Sequence, residues 1–114
     1  MEIKTVDIGN ITPFHQVRDQ EKLGKLTENM KVNGWVGRPI VVLDIGYIHA
    51  LTASHRIQAA INADLYEVQI AVVNHGNMFD EYDLGKDFKD PDQIYNILKK
   101  YDDEAAELFR EDMD

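Results

Sequence analysis

With 114 residues, 44% of them hydrophobic, the chain is long enough to bury one core and too short for two. It contains no cysteine, which excludes disulfides, thiol nucleophiles and cysteine-ligated zinc and fits a cytoplasmic protein. A net charge of −9 argues against broad attraction to DNA or an anionic membrane. The charge is unevenly placed: residues 1–79 carry 8 acidic against 7 basic residues, residues 80–114 carry 13 against 5. The opening MEIKTVDIGN has neither the basic nor the apolar region of a signal peptide. Apolar runs such as PIVVL and IAVV fall far short of the ~20 residues a membrane span needs, so no membrane partner is expected.

In chain order, IKTVDI (3–8) alternates and is β-branched, and reads as a first strand. NITPFHQVR (10–18) follows as a proline-containing connection. A first helix is expected from Asp19, a good N-cap, to about Val32, with Leu23, Leu26 and Met30 on one buried stripe and Asn33-Gly34 as its stop. PIVVLD and YIHALT flank Asp44-Ile45-Gly46 as a hairpin. A short helix at about 54–63 places Ile57 and Ile61 on one face, and YEVQIAVV (66–73) is another strand. Residues 74–89 read as a long polar loop. Asp90-Pro91-Asp92-Gln93 then has the pattern of a capped helix start. Ile94, Ile97, Leu98 and Tyr101 form a stripe, and Ala105, Leu108 and Phe109 continue it in a last helix. The predicted class is α/β (α+β): a small mixed sheet in a β-α-β-β-α-β core over residues 1–79, with two helices in an acidic C-terminal extension of the same domain over 80–114.

The stretch that stands out is ALTASHRIQAAINA, residues 50–63. His55 and Arg56 lie at the start of a helix, the end that already carries roughly half a positive charge. An anion seated there would resolve the conflict. The unpaired amides of a first turn, the forked guanidinium of Arg56 and the ring nitrogens of His55 together suit a phosphate. The alternative is that Ser54 merely caps the helix and Arg56 pairs with an acid of the same domain.

Three stretches, in order, resemble the ParB/sulfiredoxin-like fold. ITPFHQVR is similar to the family's first box, LTENMKVNGWVGRPIVV to the helix, turn and strand that follow, and ALTASHRIQAAINA to the second box. The resemblance implies that Thr52, Ala53, Ser54, His55 and Arg56 bind a nucleotide's phosphates, with Mg²⁺ bridging them. It implies that the base lies against the Pro13–Arg18 segment, which contains Gln16. Sulfiredoxins resemble Gly-Cys-His-Arg at 53–56, so with Ser54 and no cysteine the chain is not a sulfiredoxin. Partition ParB domains have Gly-Glu-Arg-Arg there and a DNA-binding domain afterwards, for which no room remains. Small relatives that phosphorylate free serine carry a catalytic glutamate after the first-box proline; the nearest position here is His15, the candidate general base.

Arg18 and Arg38 are further candidates for reaching a triphosphate. Trp35 reads as core or staple rather than a base-stacking platform. The four histidines show no metal-binding spacing, and Asp102-Asp103-Glu104 reads as a helix start rather than a magnesium site. No metal site is expected. The leading reading is a nucleotide-binding domain of NTPase or small phosphotransferase type, in which Arg56→Ala would abolish binding without harming the fold. The alternatives are a DNA-directed, nuclease-like or regulatory module, and a phage- or plasmid-type regulator that binds a host protein through its acidic tail. Generic duplex DNA is not an expected partner. The C-terminal helices are candidates for a homodimer or protein contact.

Overall fold

A computed structural model describes residues 1–14, 16–35 and 37–113, the last without its side chain. Strand β1 (Glu2–Asp7) leads through a 3₁₀ turn (Ile8–Asn10) to the two-residue β2 (Ile11–Thr12). Helix α1 (Gln20–Asn33) precedes the hairpin of β3 (Ile40–Asp44) and β4 (Ile48–Ala50). Helix α2 (Ser54–Asn62) and strand β5 (Glu67–Val72) complete the first part. Four helices follow: α3 (Met78–Glu81), α4 (Leu84–Asp87), α5 (Pro91–Tyr101) and α6 (Asp103–Met113).

The sheet runs β1-β5-β3-β4-β2. The β1/β5 and β3/β4 pairs are antiparallel, the β5/β3 and β4/β2 pairs parallel. Because side chains alternate along a strand, the continuous apolar run of β3 serves both faces. Ile40 and Val42 pack with Val68 and Ile70 beneath Met30, Ile57, Ala59 and Ala60 of α1 and α2. Val41 and Leu43 face the other way, with Leu51 and Val73, into Met78, Phe88, Ile94, Leu98 and Phe109 of the later helices. The result is three layers with the sheet in the middle, and the Ile94/Ile97/Leu98 stripe is buried on the chain's own sheet.

The helix ends follow local chemistry. Asp19 caps α1 by accepting from the Lys22 amide at 3.0 Å, and Gly34 closes it at φ 75°. Asp90 caps α5 with Pro91 behind it. Asp102 stands at the start of α6, where its carboxylate accepts from the Ala105 amide at 3.1 Å, the Asn74 amide at 2.9 Å and the Met1 ammonium at 2.9 Å. It is the first acid of the Asp102-Asp103-Glu104 run and is occupied in tying segments together.

Three expectations need correction. Residues 74–89 are not a polar loop: they hold α3 and α4, and Met78 and Phe88 are fully buried. Two anchors ten residues apart produce no periodicity, and Asp83 caps α4 through the Gly85 and Lys86 amides. Strand β2 lies inside the expected connection; two residues are too few to show alternation. Ile61 does not share the buried face of Ile57 but is 45% exposed, one residue before α2 ends.

Phe88→Ala should lower the unfolding free energy by about 3–5 kcal/mol, as core aromatics do. A loss below about 0.5 kcal/mol in urea denaturation, the size expected of a surface loop, would show that residues 78–88 lie outside the core. Asp102 gives a second test. Burial alone would raise its carboxyl, but the Asn74 amide, the Met1 ammonium and the Ala105 amide outweigh that and hold it below the usual carboxylate range. A depressed folded value contributes stability that is complete above the unfolded value and lost as pH falls through the folded one. Asp102→Asn should therefore cost stability at neutral pH and progressively less below about pH 4, read from denaturation midpoints at both ends. An equal cost at both ends would assign the loss to packing.

Candidate functional site

The site forms where the chain leaves β4 and enters α2. Ala53, not Ser54, occupies the N-cap position, at φ 70° and ψ 27° in the left-handed region. That conformation is uncommon for a residue with a Cβ, and glycine would adopt it at less cost. With no side-chain cap on α2, the first-turn amides have no carbonyl ahead of them within the helix. Ser54 is 4% exposed, and its hydroxyl has no hydrogen-bond partner among the described residues. A buried hydroxyl left unmatched costs roughly 1–3 kcal/mol.

Arg56 reaches back from the first turn of α2 towards the entrance to β3. Nη1 donates to the Arg38 carbonyl at 2.7 Å, Nη2 to Asp112 Oδ2 at 2.7 Å, and the guanidinium lies 5.0 Å from the centre of the Trp35 ring. Arg38 extends the same cluster: Nε lies 2.6 Å from Glu111 Oε2 and Nη1 3.6 Å from Asp112 Oδ1. His55 Nε2 accepts from the Asp19 amide at 3.3 Å, joining the start of α2 to the start of α1. Burial pushes the Arg56 guanidinium down, against the pull of Asp112. Burial likewise raises the Asp112 carboxyl, against Arg56 and Arg38. Both members of the pair are thus less comfortable in place than in water, as expected for a buried ion pair.

Of the sequence-predicted residues, Thr52, Ala53, Ser54, His55, Arg56 and Arg38 line one cavity of about 380 Å³, which Lys22, Glu111 and Asp112 also border. Gln16 borders a second, of about 580 Å³, with Pro13 and Val17, and Ser54 belongs to both. Arg18 is not brought to the first cavity. It borders a third, of about 760 Å³, with Thr52, Lys89 and Phe14. His15 lies outside the described residues. Trp35 is half-buried against the core and carries Arg56 on its face, combining the expected packing role with a cation–π contact.

Against the expectation that Arg56→Ala would spare the fold, the Arg56 side chain, 13% exposed and bonded to Asp112 and the Arg38 carbonyl, also has a structural role. Sequence reasoning missed Glu111 and Asp112, which lie more than fifty residues from Arg56. Their one signal was two acids in the last turn of a helix, where the macrodipole disfavours them.

The chemistry on offer is anion binding: two guanidiniums, a helix N-terminus and an unmatched hydroxyl around one cavity. Among the described residues no group of three or more histidine or carboxylate side chains could hold a metal ion.

Gly37 shows how tightly Arg56 is held. Its φ is 97°, and a Cβ there would come within 2.7 Å of Arg56 Nη1. Gly37→Ala should cost about 1–3 kcal/mol of backbone strain plus the displacement of the guanidinium. Gly34→Ala, also at positive φ but with nothing within 4 Å of the new methyl, supplies the control. Equal losses in thermal or denaturant unfolding would show that Arg56 does not depend on this glycine.

No protein-family model and no curated protein matches the chain. Among solved structures it is similar to sulfiredoxin from Arabidopsis thaliana, with 20% identity and a TM-score of 0.55, over 63% of this chain and 84% of that one. It is similar to C-terminally truncated ParB from Caulobacter crescentus complexed with CTP-γ-S, with 18% identity and a TM-score of 0.55, over 96% and 78%. The same ParB complexed to the centromeric parS site matches with 16% identity and a TM-score of 0.54, over 93% and 63%. The chain has the ParB/sulfiredoxin-like fold.

Proposed function

We propose that this chain is a nucleotide-binding domain whose phosphate seat is the 380 Å³ cavity at the start of α2. The observation that carries this reading is Ser54: a buried hydroxyl without a partner among the described residues, on a helix N-terminus beside Arg56 and Arg38. Phosphate oxygens supply the acceptor that the Ser54 hydroxyl lacks among the described residues. The structural neighbour complexed with CTP-γ-S supports the ligand class. In this reading Arg56 grips a phosphate with its fork, Arg38 neutralises a second, and Ser54 donates from its hydroxyl. The ribose and base extend past Ser54 into the 580 Å³ cavity, against Pro13, Gln16 and Val17.

Magnesium travels with the nucleotide, held chiefly by phosphate oxygens and water, and lowers the charge that the two arginines must balance. The residues assigned here bind and orient phosphates, the work a CTP- or ATP-binding switch and a phosphotransferase have in common.

A thermal-shift series with CTP, ATP, GTP and ADP plus Mg²⁺ tests the reading, since a ligand at about 100 times its Kd adds about 2.7 kcal/mol to a site. At least one nucleotide should raise the melting temperature. Ser54→Ala should then separate function from fold. Removing an unmatched hydroxyl should leave the free protein as stable as before or about 1 kcal/mol more so, while nucleotide affinity falls. A less stable variant with unchanged affinity would make Ser54 a structural residue and remove the main support for this site.

A further inference from the structure

The phosphate seat already holds an anion, and it is the protein's own. Asp112 places Oδ2 against Arg56 and Oδ1 towards Arg38, so one planar carboxylate is shared between two guanidiniums, while Glu111 takes the remaining face of Arg38. Two oxygens of a phosphate would ask the same of these arginines. We infer that the acidic end of α6 is an intramolecular stand-in for phosphate, and that a nucleotide enters by displacing it. This inference rests on the nucleotide reading above.

Three further features support displacement over a permanent clasp. Glu111 and Asp112 lie in the last turn of α6, where the helix's own carbonyls repel negative charge. Arg56 lies in the first turn of α2, where amides repel positive charge. The two helices meet opposite pole to opposite pole, so a phosphate at the start of α2 would take over the compensation of Arg56 that the carboxylates now give. The Asp112 side chain is also largely out of water, at 9% exposure, and this desolvation raises its carboxyl, so leaving the seat returns it to the solvation it lost. Finally, Ser54 lines the same cavity yet its hydroxyl donates to neither carboxylate. The stand-in fills the arginine half of the seat and leaves the hydroxyl half for a ligand with more oxygens. Such a plug lowers apparent affinity by the fraction of molecules in which it is released. It also rejects weak monoanions, since only a ligand that outbids two carboxylates gains entry.

The test compares the full chain with its Glu111→Gln/Asp112→Asn double variant, using CTP and ATP with Mg²⁺ and inorganic pyrophosphate as probes in calorimetry. Hydrogen exchange across 103–113 is followed in the wild type with and without each probe. The inference expects roughly 10- to 100-fold tighter binding by the variant, which is roughly 1.4–2.8 kcal/mol, and faster exchange across 103–113 in the wild type when ligand binds. Equal affinities with unchanged exchange would overturn the plug while leaving the nucleotide site standing. Absence of binding by both proteins would overturn the site and the plug together. Should the variant fail to fold, the wild-type exchange decides alone: protection across 103–113 on binding would show that α6 closes over the ligand.

Discussion

A guanidinium placed largely out of water obliges everything around it. Arg56 gives up most of its hydration, and the fold answers with a carbonyl from the entrance of β3, an aromatic face from the turn after α1 and a carboxylate from the last helix. These partners come from the connection between α1 and β3 and from the last helix, so one side chain on α2 ties the entrance of the hairpin to the acidic tail. Losing any one leaves a charge partly uncompensated in a medium that tolerates this poorly. Gly37 belongs to the same constraint, because the guanidinium passes where a methyl would sit.

That constraint gives the tail's acidity a position as well as a sign. Most of its carboxylates face solvent or pair with nearby lysines, as Asp103 and Glu107 of α6 do with Lys99 of α5, and such exposed pairs contribute little. Asp102 and Asp112 differ: one ties the start of α6 to the chain's amino terminus and to the segment after β5, the other ties its end to α2. Helix α6 is thus anchored by a carboxylate near each end, with Ala105, Ala106 and Phe109 buried between them.

The regular elements were legible because each carries a repeated local signal. The alternation of β1, the apolar run of β3, the capped and striped α1 and α5 and the half-buried β5 all appear where pattern and punctuation agree. What failed to show was single or distant. Phe88 is one buried side chain without a repeat, and β2 is two residues placed by its pairing with β4. At the site, the residue types at 52–56 and Arg38 pointed to an anion, and the conflict between Arg56 and its helix dipole left a ligand and an acid of the same domain both open, without saying which acid. The carboxylate that answers it is 56 residues away, and separation on that scale leaves no trace in local pattern. Ala53 is a similar case: its left-handed backbone is set by the turn it must make, and nothing about alanine announces it.

The sheet's pairing order has a consequence for the chain as it is being made. Strand β5 lies between β1 and β3, with Glu2 opposite Val72 and Ile40 beside Ile70. The amino-terminal strand therefore has no place in the sheet until some seventy residues have been synthesised, and its closure is of the slow, non-local kind. Until then the β3–β4 hairpin stands with one side of β3 bare, and Ile40, Val41, Val42 and Leu43 are all residues that the finished protein buries. A short edge whose residues are apolar but for a terminal aspartate is what adds itself to a neighbour's sheet. On the ribosome, the arrival of β5 is the event that turns an aggregation-prone hairpin into the interior of a sheet.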